Sequence, residues 1–363
     1  MARRVFEEHF RNPSLRGFLY SLCLHINPWH KIVLAATILI LAPLFILASR
    51  HSPSLSSQSL DMDWNKQGPL FPLSGKLDYV QDTQLVWQIP PSPKAVLFIA
   101  HGCHGSATYF WDKSHNCAEC TGLPEERIII MHALSRGYAV VAITSTRECW
   151  SLAYDKDKVL ATLSYWIEER GLNKLPVVAL GASSGGSFVS ALAREYKFSS
   201  IVVMISEGIF PTVKVDGHYP STLFVHMVKD KRRAALIKDA MEALKSNGID
   251  TNEVKCYPLP VTPHYFTRLP GIDATISERV YQALKDSGIL DHDNFMTADG
   301  RSMNWMVPLK MRRVLPDDHY EFWDVHMREL LNLAYGYHEM TSLPSDEIFE
   351  WLDAHITTTR AAH

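Results

Sequence analysis

The 363-residue sequence has almost no net charge, −3 at pH 7, so it offers no general electrostatic case for nucleic acid or another polyanion as partner. It has no usable N-x-S/T glycosylation acceptor, because Asn12-Pro13-Ser14 carries proline in the middle. That neither supports nor opposes secretion. No internal similarity recurs at solenoid or propeller periods. Cysteine is sparse, six residues with a single Cys-x-x-Cys pair, too few for a doubled zinc framework. What is plentiful is apolar residue, 47% of the chain, enough to bury a sizeable core in one large or two modest domains.

The longest uncharged run is Ile32 to Ser49, IVLAATILILAPLFILAS, about long enough as a helix to cross ~30 Å of hydrocarbon. Pro43 is tolerable there, since a kinked membrane helix can re-satisfy its backbone. Arg3, Arg4, Arg11, Arg16 and Lys31 precede the run, against Glu7 and Glu8. The positive-inside rule then keeps residues 1–31 cytosolic and sends the rest to the lumen or the exterior. Residues 32–49 read as a signal anchor; a cleaved signal peptide ending near Ala48-Ser49 and a buried soluble helix are the alternatives. Residues 50–75, rich in serine, proline and glycine, read as a stalk.

The cysteines divide by position. Cys23 falls on the cytosolic side, where palmitoylation rests on position alone, and Cys256 lies in a strand pattern as a small core residue. Cys103, Cys117, Cys120 and Cys149 fall in the region assigned to an oxidising compartment. Two disulfides fit there, with three possible pairings left open. Zinc on His115, Cys117 and Cys120 is the competing reading. No metal and no cofactor are expected.

From Lys76 the pattern alternates. Short strands at Leu77–Val80 and Gln84–Gln88 lead to apolar strands at Ala95–Ala100, Ala139–Ile143, Val177–Leu180, Ile201–Ile205 and Thr222–Val228, and to Val254–Val261, where Pro258 and Pro260 imply an edge. Helices are predicted over Leu123–Arg136, Asp157–Arg170 and Arg232–Ser246, with one starting at Phe188. The alternation implies an α/β fold, a mostly parallel sheet with helices on both faces. Residues 268–336 break it with helical pieces (Ser277–Asp286, Tyr320–Leu333) around a less regular middle, and read as an insertion over the site within a domain spanning residues 76–358. The chain ends with Ser345 as N-cap of a helix to about Ile356.

The chemistry centres on Gly181-Ala182-Ser183-Ser184-Gly185-Gly186. An apolar strand runs into this G-x-S-x-G turn and a helical pattern follows at once, which would expose Ser183 at a helix N-terminus. A serine hydroxyl is a weak nucleophile and needs a base, an acid and an oxyanion hole. The loop His101-Gly102-Cys103-His104-Gly105 follows a strand directly, so the backbone N–H of Cys103 is one oxyanion donor and that of Ser184 the other. His101 is read as shaping this loop. For the acid, Asp230 and Glu207 each follow a later strand; Asp230 is preferred, with Glu207 in reserve. For the base, His338 in Tyr337-His338-Glu339-Met340-Thr341 and His264 in Pro263-His264-Tyr265 both satisfy the order serine, acid, histidine, and His338 is preferred. His319 and His326 read as surface residues. Phe266, Trp305, Met306 and Trp323 either line an acyl pocket or pack.

Together the G-A-S-S-G elbow, the HGCHG loop, Asp230 and the later histidines resemble the α/β-hydrolase superfamily over about residues 76–356. More narrowly, HGC, the FW and C-x-x-C-x-GLPEE run and YHEMT look like membrane-anchored α/β-hydrolase-like proteins of plants and algae. The resemblance implies acylation of Ser183 and hydrolysis by water activated through the histidine. The substrate class expected is a small-molecule or lipid ester. A peptidase or thioesterase with the same triad is the alternative among enzymes, and a hydrolase-shaped binding module the alternative of another class. The sequence leaves oligomeric state open.

Overall fold

The computed structural model describes residues 73–210, 212, 214–315 and 320–356. The apolar run at 32–49, the stalk to residue 72, Cys23 and His319 lie outside the described residues. Among the described residues no helix is long and apolar enough to cross a membrane.

Eight strands form one sheet: β1 (Lys76–Val80), β2 (Thr83–Gln88), β3 (Ala95–Ala100), β4 (Tyr138–Ile143), β5 (Val177–Ala182), β6 (Ser200–Met204), β7 (Ser221–Met227) and β8 (Thr251–Cys256). Their order across the sheet is β1-β2-β4-β3-β5-β6-β7-β8. Only the β1–β2 and β2–β4 pairs are antiparallel; all others are parallel. The central strands are buried on both faces, as a doubly covered parallel sheet requires. Alternate residues feed two cores. In β3, Ala95, Leu97 and Ile99 face one, while Val96, Phe98 and Ala100 face the other.

One face is covered by α1 (Pro124–Ser135), and the other by α2 (Leu152–Glu169), α3 (Ser184–Leu192) and α4 (Lys231–Ser246). Pro124 opens α1 at a position where its missing N–H costs nothing, and Gly137, at φ 81°, turns the chain into β4. Asp230 caps α4, its Oδ1 accepting from the Arg233 N–H at 2.9 Å.

Among the described residues the remaining α-helices are α5 (Ala274–Asp286), α6 (Met306–Met311), α7 (Tyr320–Tyr335) and α8 (Ser345–Ala354). Residues 268–336 do not float over the sheet. Val280, Leu284, Leu309, Met327, Leu330 and Leu331 are fully buried in the same core as α1 and α8. Phe266, Trp305 and Trp323 belong to that core as well, so of the two readings for these aromatics the packing one holds.

Four sequence expectations are corrected. β8 stops at Cys256, and beyond it Leu259 N–H donates to the Ala334 carbonyl and Val261 N–H to Asn294, not to a strand. α2 starts five residues earlier than expected, because buried Asp155 accepts from Ser151 N–H and from Thr146 N–H and Oγ1 and draws the entering chain onto the helix. Ser345 is the first residue of α8 rather than its cap, its hydroxyl donating back to the Ser342 carbonyl at 2.6 Å. His326 is fully buried, since it shares the inward stripe of α7 with Leu330 and Leu333, at the i+4 and i+7 spacing of one helix face.

Candidate functional site

Ser183 sits at the junction of β5 and α3 with φ 53° and ψ −116°, a backbone region that non-glycine residues rarely adopt. The turn is that tight because its glycines let backbones touch. A Cβ on Gly181 would lie 2.2 Å from the Gly185 carbonyl oxygen. One on Gly185 would lie 2.3 Å from that of Ala100. The G-x-S-x-G spacing is therefore a packing demand between β5, α3 and the end of β3. Ser184 opens α3, where a helix leaves its first N–H groups without internal partners.

The 101–105 loop lies against Ser183, with the Cβ of Ser183 within 3.7 Å of where a Gly102 Cβ would be. It is held from several sides. His101 is buried and kept neutral, its pKa lowered to about 4 chiefly by burial. Its Nε2 accepts from Ser145 N–H and its Nδ1–H donates to the Gly102 carbonyl. Trp150 Nε1–H donates to the His101 carbonyl at 2.8 Å, and a Cys103–Cys149 disulfide ties the loop to the segment before α2. Cys117 and Cys120 form the second disulfide, which removes both thiolates from the zinc reading. Among the described residues the Cys103 N–H, expected as an oxyanion donor, makes no backbone hydrogen bond.

His338 arrives from the chain between α7 and α8. Its Nε2 lies 2.9 Å from Ser183 Oγ. His264, the other candidate base, is exposed at the start of a single 3-10 turn (Tyr265–Arg268) and makes no hydrogen bond to Ser183. Asp230 and Glu207 both stand beside His338, yet neither bonds to it. Arg233 lies between them: its Nη1 is 2.8 Å from Asp230 Oδ2 and 2.8 Å from His338 Nδ1, and its Nε is 2.9 Å from Glu207 Oε2. His338 is held neutral, its pKa lowered to about 4, first by burial and then by Arg233 and Arg301. Glu207 is held below the usual carboxylate range by Arg233, against the effect of its own burial.

The loop carrying His338 is fastened by residues that sequence reasoning did not single out as functional. Arg301 donates to the His338 carbonyl and to Glu339 Oε2, each at 2.6 Å. Further on, Glu125 accepts from the N–H and hydroxyl of Ser342 at 2.7 and 2.9 Å and pairs with buried Arg268. The glutamates of the GLPEE run and the YHEMT segment, more than 200 residues apart, thus meet in one buried network. Glu125 and Glu126 resemble ordinary first-turn acids, and Arg233 sits in a Lys-Arg-Arg run that reads as a solvated face. A local pattern therefore carries no signal for either. Beside His338 a cleft of about 350 Å³ is lined by Glu207, Asp230, Asp299, Arg232, Arg233 and Arg301. Its charged lining is balanced, three carboxylates against three guanidinium groups, and Leu236 and Tyr337 complete the wall.

No family model and no curated protein matches the sequence. Among solved structures, TT1662 from Thermus thermophilus is similar at 18% identity and TM-score 0.38, covering 51% of this chain and 90% of its own. The Pyrococcus furiosus esterase Pf2001 is similar at 14% identity and TM-score 0.37, covering 52% of this chain and 84% of its own. An esterase/lipase from an uncultured bacterium matches at 15% identity and TM-score 0.37, covering 68% and 97%. Likenesses this distant fix no activity for the chain; strand order and the elbow describe its fold.

Proposed function

We propose that the chain is a serine hydrolase of the α/β-hydrolase type acting on carboxylic esters, of small molecules or lipids. The single observation that carries this reading is Ser183: held at φ 53° on a strand–helix elbow, its hydroxyl 2.9 Å from an imidazole nitrogen. In the reaction Ser183 Oγ attacks the acyl carbon while His338 Nε2 takes its proton. The N–H groups of Cys103 and Ser184 receive the developing oxyanion, and the imidazolium protonates the departing alkoxide. Water, deprotonated by the same nitrogen, then releases the acid. Thioesters are within reach of the same chemistry; peptide bonds demand more of the leaving-group step.

The test is a panel of activated acyl esters, thioesters and peptides with purified residues 73–363 and its variants. Esters are expected to turn over best, His338→Ala to lose at least about 10²-fold in kcat/KM, and His264→Ala to stay within about twofold. Loss in His264→Ala with His338→Ala unaffected would refute the assignment. A second reading, a hydrolase-shaped binding module, is favoured by one observation: Arg233 occupies the nitrogen of His338 that a triad acid would take. No turnover or covalent capture by any variant would select it.

The membrane topology is likewise a proposal, as is kinship with the membrane-anchored plant and algal group. Support comes from the uncharged run at 32–49 with cations before it, and from two disulfides in the described domain, which persist in oxidising compartments. On sealed microsomes carrying the full chain, protease is expected to remove an N-terminal epitope tag and spare the domain. Digestion of the domain in intact vesicles would contradict this.

A further inference from the structure

Arginine has five donors and no acceptor. The two hydrogens of Arg233 Nη1 go to Asp230 Oδ2 and to His338 Nδ1, so Nδ1 is an acceptor and carries no proton. The neutral imidazole then holds its hydrogen on Nε2, and at 2.9 Å that hydrogen is donated to Ser183 Oγ. In this state Nε2 has no lone pair to take the serine proton. We infer that Arg233 is a positioning residue that latches His338 in its unreactive tautomer, and that withdrawing the guanidinium lets Asp230 take the imidazole and makes Ser183 nucleophilic. This rests on the reading of Ser183 as the nucleophile.

The geometry supplies both halves of the exchange. Asp230 Oδ2 and His338 Nδ1 bond the same nitrogen at 2.8 Å and so lie at most twice that distance apart. Asp230 Oδ1 is committed to the Arg233 backbone N–H as helix cap, which fixes the carboxylate while Oδ2 is handed over. Arg233 keeps a second partner in Glu207, through Nε, and the charged cleft opens beside it, so its guanidinium has somewhere to go. On release the imidazole proton moves from Nε2 to Nδ1 through solvent in the cleft, Nδ1–H donates to Asp230 Oδ2, and the Nε2 lone pair faces Ser183 Oγ. No oxidant or co-reactant is needed.

The charged groups around His338 come from four elements: Glu207 after β6, Asp230, Arg232 and Arg233 at the start of α4, Asp299 and Arg301 before α6, and Glu339 on its own loop. Removing Arg233 deletes the nearest cation and gives the ring a carboxylate, so the apparent pKa of the base must rise.

The test measures fluorophosphonate labelling rates across pH for wild type, Arg233→Met, and Arg233→Met with Asp230→Asn, each also on a Ser183→Ala background. Arg233→Met is expected to label at least about tenfold faster than wild type at alkaline pH, since a wrong tautomer in an intact triad costs up to about 10⁴-fold. Its acid limb is expected to move up from about 4 towards the ordinary imidazole value of about 6.5. Adding Asp230→Asn is expected to abolish the gain. Arg233→Met labelling no faster than wild type, with labelling still dependent on Ser183, would overturn the latch alone. Labelling that survives Ser183→Ala would overturn the nucleophile, and with it the latch. A merely structural Arg233 would lower the rate without moving the pH limb.

Discussion

Ser183→Ala is expected to lower kcat/KM for an activated acyl ester by at least about 10³-fold. The hydroxyl is the group placed to attack, and its loss leaves only the oxyanion donors and substrate binding to assist water. The backbone gives a second, independent reading of the same residue. Holding a non-glycine residue at φ 53° costs on the order of 1–3 kcal/mol, and alanine keeps that cost because it keeps a Cβ. Glycine relieves it. Ser183→Gly is therefore expected to be as inactive as Ser183→Ala but at least as stable as wild type, a combination typical of a strained functional position. Steady-state kinetics with thermal melts of the three proteins check both halves. An active Ser183→Ala protein would remove the serine from the mechanism, and a Ser183→Gly protein less stable than Ser183→Ala would remove the strain.

Arg268→Met is expected to destabilise the domain by about 3–5 kcal/mol. Both partners of the Arg268–Glu125 pair are essentially inaccessible, at 2% and 0% side-chain exposure, so deleting the cation strands a carboxylate in the core. Burial raises the pKa of the two neighbouring acids, Glu126 and Glu329, and Glu126 adds to the rise at Glu329; neither group can replace the lost cation. Because Glu125 also accepts from Ser342, on the loop that carries His338, activity is expected to fall with stability. Combining Arg268→Met with Glu125→Gln removes the stranded charge while keeping an acceptor for Ser342, and is expected to recover much of the loss. Urea unfolding of the single and double variants measures this. A single variant within about 1 kcal/mol of wild type, the range of an exposed pair, would show that the pair is not as dry as it is drawn.

Much of the fold was legible because its signals are local. The apolar runs at Ala95–Ala100 and Ala139–Ile143 are strands buried on both faces, and the helices expected over Leu123–Arg136 and Arg232–Ser246 form within a residue of those bounds. The elbow was legible for the same reason, since two glycines flanking Ser183 are a local steric requirement. What the sequence did not disclose is relational. Nothing about residues 268–336 reveals that their helices complete the core on one face of the sheet, because an amphipathic helix looks alike over a lid or under one. His326 shows the same difficulty at one residue. The histidine reads as polar until the stripe it shares with Leu330 is seen to face inward. Arg233 is the sharpest case. Its position three residues after the cap Asp230 is ordinary helix chemistry, and only the fold brings the His338 ring to the same nitrogen.

The central claim, that Ser183 is a nucleophile whose base is His338, is tested most directly by mapping the covalent adduct of a fluorophosphonate probe on the folded domain by mass spectrometry. The account predicts one adduct, on the tryptic peptide Leu175 to Arg194 and localised to Ser183, formed slowly by wild type, faster by Arg233→Met and not by His338→Ala in either background. An adduct on another residue, or one formed equally well without His338, would contradict it.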